Sequence, residues 1–145
     1  MVPGDVLRWK EFELKRGTGP DKPRWFVFMG DNGKFVCPAV LFLLTSTTQM
    51  HYYKEGESRA GRHIVKFEAT PASPFSEDCV LDVEHDHYEL SREHFDACKD
   101  SIESIGRISE KKLLEIWHVI EKSQSFSPKV KKDIRSCLVL HGMVK

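Results

Sequence analysis

The sequence has no excess charge, no long apolar run and no closely spaced cysteine pair, and each absence removes a class of function. Its 22 Lys and Arg balance 22 Asp and Glu, so no overall field draws it to nucleic acid, and any such surface has to come from local patterning. The longest apolar stretch, 36–44, is far short of the roughly 20 residues of a membrane-spanning helix. The start of the chain carries no apolar signal core, so no membrane association and a cytoplasmic location are expected. Cys37, Cys79, Cys98 and Cys137 contain no C-x-x-C pair, which removes zinc knuckles and redox motifs and reads as reduced, buried thiols. Repeats and low-complexity tracts are absent as well. What is present, 145 residues with 40% hydrophobic and 30% charged side chains, is the balance of one soluble domain over 1–145.

The pattern changes character near residue 90. Before it, short β-branched and aromatic runs separated by Gly, Pro, Asp and Asn predict strands at about 5–14, 24–29, 35–45, 63–68 and 79–83. Between the first two lies a polar stretch, 15–23, read as a mobile basic hairpin loop. Asn32-Gly33 signals the next turn. The third strand is apolar almost throughout and so reads as central, with Pro38 near its start or on a bulge. Beyond residue 90, Ser91 caps a short helical piece, a last strand covers about 102–108, and Ser109 opens a helix with an apolar stripe of Leu113, Leu114, Ile116, Trp117, Val119 and Ile120. Ser127-Pro128 starts a second helix, with Val130, Ile134, Cys137, Leu138 and Leu140 as its apolar set and Gly142 beyond its end. The expected fold is mainly β with C-terminal helices: a small, strongly bent antiparallel sheet or barrel with helices packed on it. Neutrality conceals a roughly +3, −8, +5 distribution over 1–75, 76–104 and 105–145, which permits an anionic ligand near the first part or the last helices.

Two strand-end features bear on chemistry. Arg24 ends a basic loop, and Thr45-Ser46-Thr47-Thr48-Gln49 follows the apolar third strand. If the second and third strands are antiparallel neighbours, these ends meet. A guanidinium fork beside hydroxyl donors is suited to phosphate. The same residues also read as a solubilising strand-end charge and as hydroxyls capping backbone groups. His85 and His87 would share a face if both lay on a strand, as two metal ligands could; solvated strand histidines are the alternative.

The order of these features resembles the MazF/PemK/Kid family of toxin endoribonucleases from type II toxin–antitoxin systems. The matching pieces are Gly4-Asp5-Val6, the basic loop closing on Lys22-Pro23-Arg24, the apolar strand ending in Thr-Thr-Gln, the strand ending at Phe67, Asp78-Cys79-Val80-Leu81, and Ile105-Gly106-Arg107-Ile108-Ser109 before the first long helix. The resemblance implies an SH3-like barrel over 1–123, with 124–145 as an additional helix. It further implies a homodimer that cuts single-stranded RNA, including mRNA, at short sequences without metal or other cofactor, and an antitoxin whose acidic tail occupies the RNA groove. Carried over residue by residue, Arg24 takes the catalytic arginine's position. The catalytic hydroxyl falls on Thr47 if the Thr-Thr-Gln tail is matched and on Thr45 if the strand end is matched. Lys15, Arg16, Lys22, Thr48, Gln49 and His51 are the expected RNA-binding set, with His51 an auxiliary base in addition. Trp9, Trp25, Tyr52 and Tyr53 are candidate stacking surfaces, at least half of them expected in the core. A non-catalytic barrel binding RNA or protein through the same groove is the competing reading, and a metal-dependent hydrolase built on His85 and His87 is a third.

Overall fold

The computed structural model describes residues 1–12 and 22–145. Among them are seven strands and three α-helices: β1 (Asp5–Phe12), β2 (Lys22–Asp31), β3 (Val40–Thr47), β4 (Ile64–Phe67), β5 (Cys79–Asp82), β6 (His87–Ser91), α1 (Arg92–Ala97), β7 (Ile102–Arg107), α2 (Glu110–Lys122) and α3 (Pro128–Leu140). The strands form one antiparallel sheet in the order β4-β5-β3-β2-β1-β7, with β6 also on β3. Among the described residues no helix is long and apolar enough to cross a membrane.

Side-chain alternation explains why the middle of this sheet is apolar on both faces. Val27, Met29, Phe42 and Leu44 point into the larger core, beneath α2 and α3. Their neighbours Phe26, Phe28, Leu41 and Leu43 enter a second cluster with Trp9, Phe12, Leu90 and Phe95, on the side of α1. Every residue from Leu41 to Leu44 is buried, as expected of a central strand. In α2, Leu113, Ile116, Trp117 and Ile120 are the buried residues, one stripe at helical spacing. The hydroxyls of Ser91, Ser109 and Ser127 each accept the amide of the residue three positions on, satisfying helix-start donors as the sequence pattern predicts.

The bent sheet does not close into a hydrogen-bonded barrel. Its terminal strands β4 and β7 face each other across a seam filled by side chains. Phe67, Phe75, Ile105 and Ile108 share one cluster there, and Pro74 lies so close to Gly106 that an added Cβ would stand 3.0 Å from the proline Cβ. Helix α3 is seated in the same core, with Ile134 and Leu138 both buried. It rests on the bulge where β2 shifts register between Phe28 and Gly30. Gly30 takes φ +148°, and a Cβ at that position would meet the Cys137 Cβ at 3.1 Å.

Several boundaries depart from the sequence reading. Strand β2 begins at Lys22 and continues through Gly30 and Asp31, because the bulge lets α3 cover a region that reads as a turn. Strand β3 starts at Val40, not near residue 35. The side chain of Asn32 ties the loop shut instead, donating to the Pro38 carbonyl at 2.8 Å and accepting the Val40 amide at 2.9 Å. That loop leaves Phe35 and Cys37 exposed, so the expectation of uniformly buried thiols fails at Cys37. Leu140, assigned to the apolar face of α3, is 75% exposed. Strand β6 was not expected, because its sequence HYELS has few apolar residues. The basic loop expected at 15–23, with Lys15 and Arg16, lies outside the described residues except for Lys22 and Pro23, which open β2.

Candidate functional site

The sheet register brings the ends of β2 and β3 together. Phe26 pairs with Thr45, and pairing stops there. Continued by two residues, the same register sets Arg24 across from Thr47, so these two and Thr45 share the face that carries the second cluster. Strand β6 runs along the other edge of β3, with Tyr88 opposite Leu43 and His87 opposite Leu44. One step on, the Thr45 amide donates to the Asp86 carbonyl at 3.0 Å. On this face Phe26 gives way to Arg24 along β2, Leu43 to Thr45 and Thr47 along β3, and Tyr88 to Asp86 in the turn before β6; Asp86 lies level with Thr45, and Arg24 lies two residues further along, level with Thr47.

The local electrostatics follow from this placement. Burial pushes the Asp86 carboxyl above its ordinary range, and the nearby Asp82 charge adds to the effect, partly offset by Arg59, His85 and Arg62. Burial likewise raises the Tyr88 phenol; Asp86 raises it further and Arg24 opposes. Arg24 is half-buried, and its Nε is enclosed with no hydrogen-bond partner among the described residues. The two hydroxyls compared by sequence differ in availability. The Thr45 hydroxyl is buried and donates to the Trp25 carbonyl at 3.2 Å. The half-buried Thr47 oxygen accepts the Gln49 amide at 3.2 Å, leaving its own O–H unused among the described residues. Thr48, Gln49 and His51 are exposed beside it.

Beneath this level lies a buried carboxylate. The side chain of Asp82 has no solvent exposure, and a charge in that position requires donors. Arg62 donates to it at 2.9 Å, the Tyr53 hydroxyl at 3.1 Å, and His85 Nδ1 lies 2.9 Å from its other oxygen. Arg59 in turn donates to the Tyr53 oxygen at 3.2 Å, which raises the arginine's pKa. The phenol of Tyr53 is raised by burial, against the opposing bond from Arg59. On the far side of the same turn, Glu84 is gripped by His63 at 2.5 Å and by the hydroxyls of Ser123 and Ser125, and its carboxyl is pulled below the usual range by these bonds, His63 first.

His85 and His87 engage different neighbours. His85 lies in the turn before β6 and is held by Asp82, while the His87 ring packs on Phe126 with centroids 4.4 Å apart. No three His, Cys, Asp or Glu side chains among the described residues converge as a metal site would require. Of the aromatic rings considered for stacking, Trp9 is core, and Trp25, Tyr52 and Tyr53 are half-buried.

The sequence reading missed Asp86, Asp82, Arg59, Arg62 and Tyr88. One signal was there to be read. Asp82 interrupts the apolar run Cys79-Val80-Leu81-Asp82-Val83, and a carboxylate in a buried strand has to be matched by donors from elsewhere. The chain matches no protein-family model and no curated protein.

Proposed function

We propose that this protein is a metal-independent endoribonuclease acting on single-stranded RNA, with Arg24, Thr47 and Asp86 at its centre. The observation that carries this reading is the polar end of β2 and β3 on one face, with the Asp86 turn bonded to β3 at Thr45, which sets a guanidinium, a hydroxyl whose O–H is unused among the described residues and a carboxyl of raised pKa along one face. The bent sheet, open at its seam, is compatible with an SH3-like barrel, and the MazF/PemK/Kid resemblance supplies the reaction.

In that reaction the ribose 2′-oxygen attacks the adjacent phosphorus, the P–O5′ bond breaks, and a 2′,3′-cyclic phosphate and a 5′-hydroxyl result. No protein nucleophile is required, only proton transfer and charge stabilisation on the phosphorane. Arg24 holds the non-bridging oxygens, its fork matching their geometry. Thr47 donates its hydroxyl to the same phosphate. Asp86 as the carboxylate accepts the 2′-proton, and its raised pKa makes it a stronger base than an ordinary aspartate. The leaving 5′-oxygen takes its proton from solvent or with the help of Arg24. In the same reading an antitoxin covers this groove and two copies form the active assembly.

The test is incubation of the full chain and Arg24→Ala with a long single-stranded RNA in EDTA, followed by mapping of fragment 5′ ends. Defined cuts by the wild type alone support the nuclease. Intact RNA with both, from folded protein free of inhibitor, replaces it with a binding module on the same groove.

A further inference from the structure

The segment 50–62, which follows Thr47 and the two residues after it, contains no buried residue yet is built in detail. A 3₁₀ turn at Met50–Tyr53 stacks His51 on Tyr52, with ring centroids 4.1 Å apart and planes tilted by 40°. The Arg59 guanidinium lies 5.1 Å from the Tyr52 ring centre and 5.6 Å from that of Tyr53, and the Arg59 amide donates to the Tyr52 carbonyl at 2.8 Å. Through the Tyr53 hydroxyl the array is pinned to the buried Asp82. Ordering a loop costs conformational entropy that burial ordinarily offsets. Here the buried Asp82 accounts for Tyr53 and Arg62, which donate to it; the His51 and Tyr52 rings make no such bond among the described residues, and what they add is a stack whose outermost ring, His51, is exposed.

We infer that the His51–Tyr52–Arg59 stack is a platform for an unpaired RNA base next to the scissile phosphate, and that His51 acts in it by its ring face. The inference rests on the nuclease reading for the identity of the ligand. Two features make the fit. Single-stranded RNA is recognised by splaying bases onto aromatic and arginine planes. The platform also follows Thr47 directly in the chain and shares Asp82 with the turn that holds Asp86, so it sits in fixed relation to the phosphate-binding residues. This reassigns His51 from an auxiliary base to a stacking residue. As a stacking residue, His51 can be replaced by another planar ring.

The experiment measures binding of a single-stranded oligoribonucleotide carrying 2-aminopurine, whose fluorescence falls on stacking, to the full-length wild type and to His51→Ala, His51→Phe and Arg24→Ala. Loss of one stacked base predicts about tenfold to a hundredfold weaker binding and loss of quenching in His51→Ala. His51→Phe is expected to restore both. Wild-type-like binding and quenching by His51→Ala overturns the platform, and so does a His51→Phe variant as weak as His51→Ala. If these occur while Arg24→Ala still weakens binding, RNA binding at Arg24, which the nuclease reading requires, stands without the platform. Failure of the wild type to bind the RNA at low salt overturns both.

Discussion

The Thr45 amide donates to the Asp86 carbonyl across 3.0 Å, and that single backbone bond ties the hydroxyl-rich end of β3 to the turn holding Asp86, whose carboxyl burial raises. Because Asp86 titrates higher in the folded chain than its ordinary value, its contribution to stability is greatest in acid and is lost as pH rises through the native pKa. Asp86→Asn is therefore expected to melt higher than the wild type at pH 7. The same variant should cleave about a hundredfold more slowly or worse, and the acid limb of the wild-type pH–rate profile should disappear. Calorimetry and initial rates between pH 4 and 8 check both.

Thr45 and Thr47 are separable by experiment. Thr45→Val removes a buried donor from the Trp25 carbonyl and is expected to cost about 1–3 kcal/mol of stability with little loss of cleavage. Thr47→Val should fold as the wild type and lose cleavage. Urea unfolding set beside single-turnover rates distinguishes them, and the reverse pattern would move the catalytic hydroxyl to Thr45.

Glu84 behaves oppositely to Asp86. Its native pKa is lowered, so the stability it contributes is present above the unfolded carboxylate value and is lost as pH falls through the lower native one. Glu84→Gln should weaken the chain by about 1–2 kcal/mol near pH 7, with the difference shrinking in acid. Paired urea titrations at pH 7 and pH 3.5 would show it.

Helix α3 should behave as core. Leu138→Ala, at a site with no exposure, is expected to cost about 2–5 kcal/mol. Gly30→Ala places a Cβ against Cys137 at a positive φ and should destabilise by about 1–3 kcal/mol. Thermal melts of both variants test the seating of the helix.

Thiol reactivity reports the loop before β3. Cys37 is exposed, whereas burial pushes the Cys79 thiol up to about 11, so little of it is thiolate at neutral pH. A native alkylation series should show a fast Cys37 phase that Cys37→Ser abolishes, with Cys79 reacting only in denaturant.

Local signals carried most of the fold. Ser91, Ser109 and Ser127 mark helix starts because their hydroxyls act within three residues, and the apolar run ending at Leu44 marks a central strand because both its faces need burial. What escaped was non-local. Strand β6 depends on an edge offered by β3, and its polar sequence gives no period of its own. The bulge at Gly30 depends on α3, more than a hundred residues later. The candidate site divides the same way. Arg24 and Thr47 were readable as strand ends, whereas Asp86, Arg59 and Asp82 gain meaning only after the chain has folded back.

Strands β5 and β6 lie end to end along one edge of β3, with residues 83–86 making a detour between them. Both ends of that detour are pinned by ladder pairs and Val83 within it is buried in the larger core, while the side chains of His85 and Asp86 take no part in the core. The identity of residues 85 and 86 can therefore change without shifting the register of the strands that carry the core. A scaffold built this way separates heritable change in chemistry from change in architecture: close relatives of the fold could differ in reactivity by altering a few residues here, with the rest of the sheet left as it is.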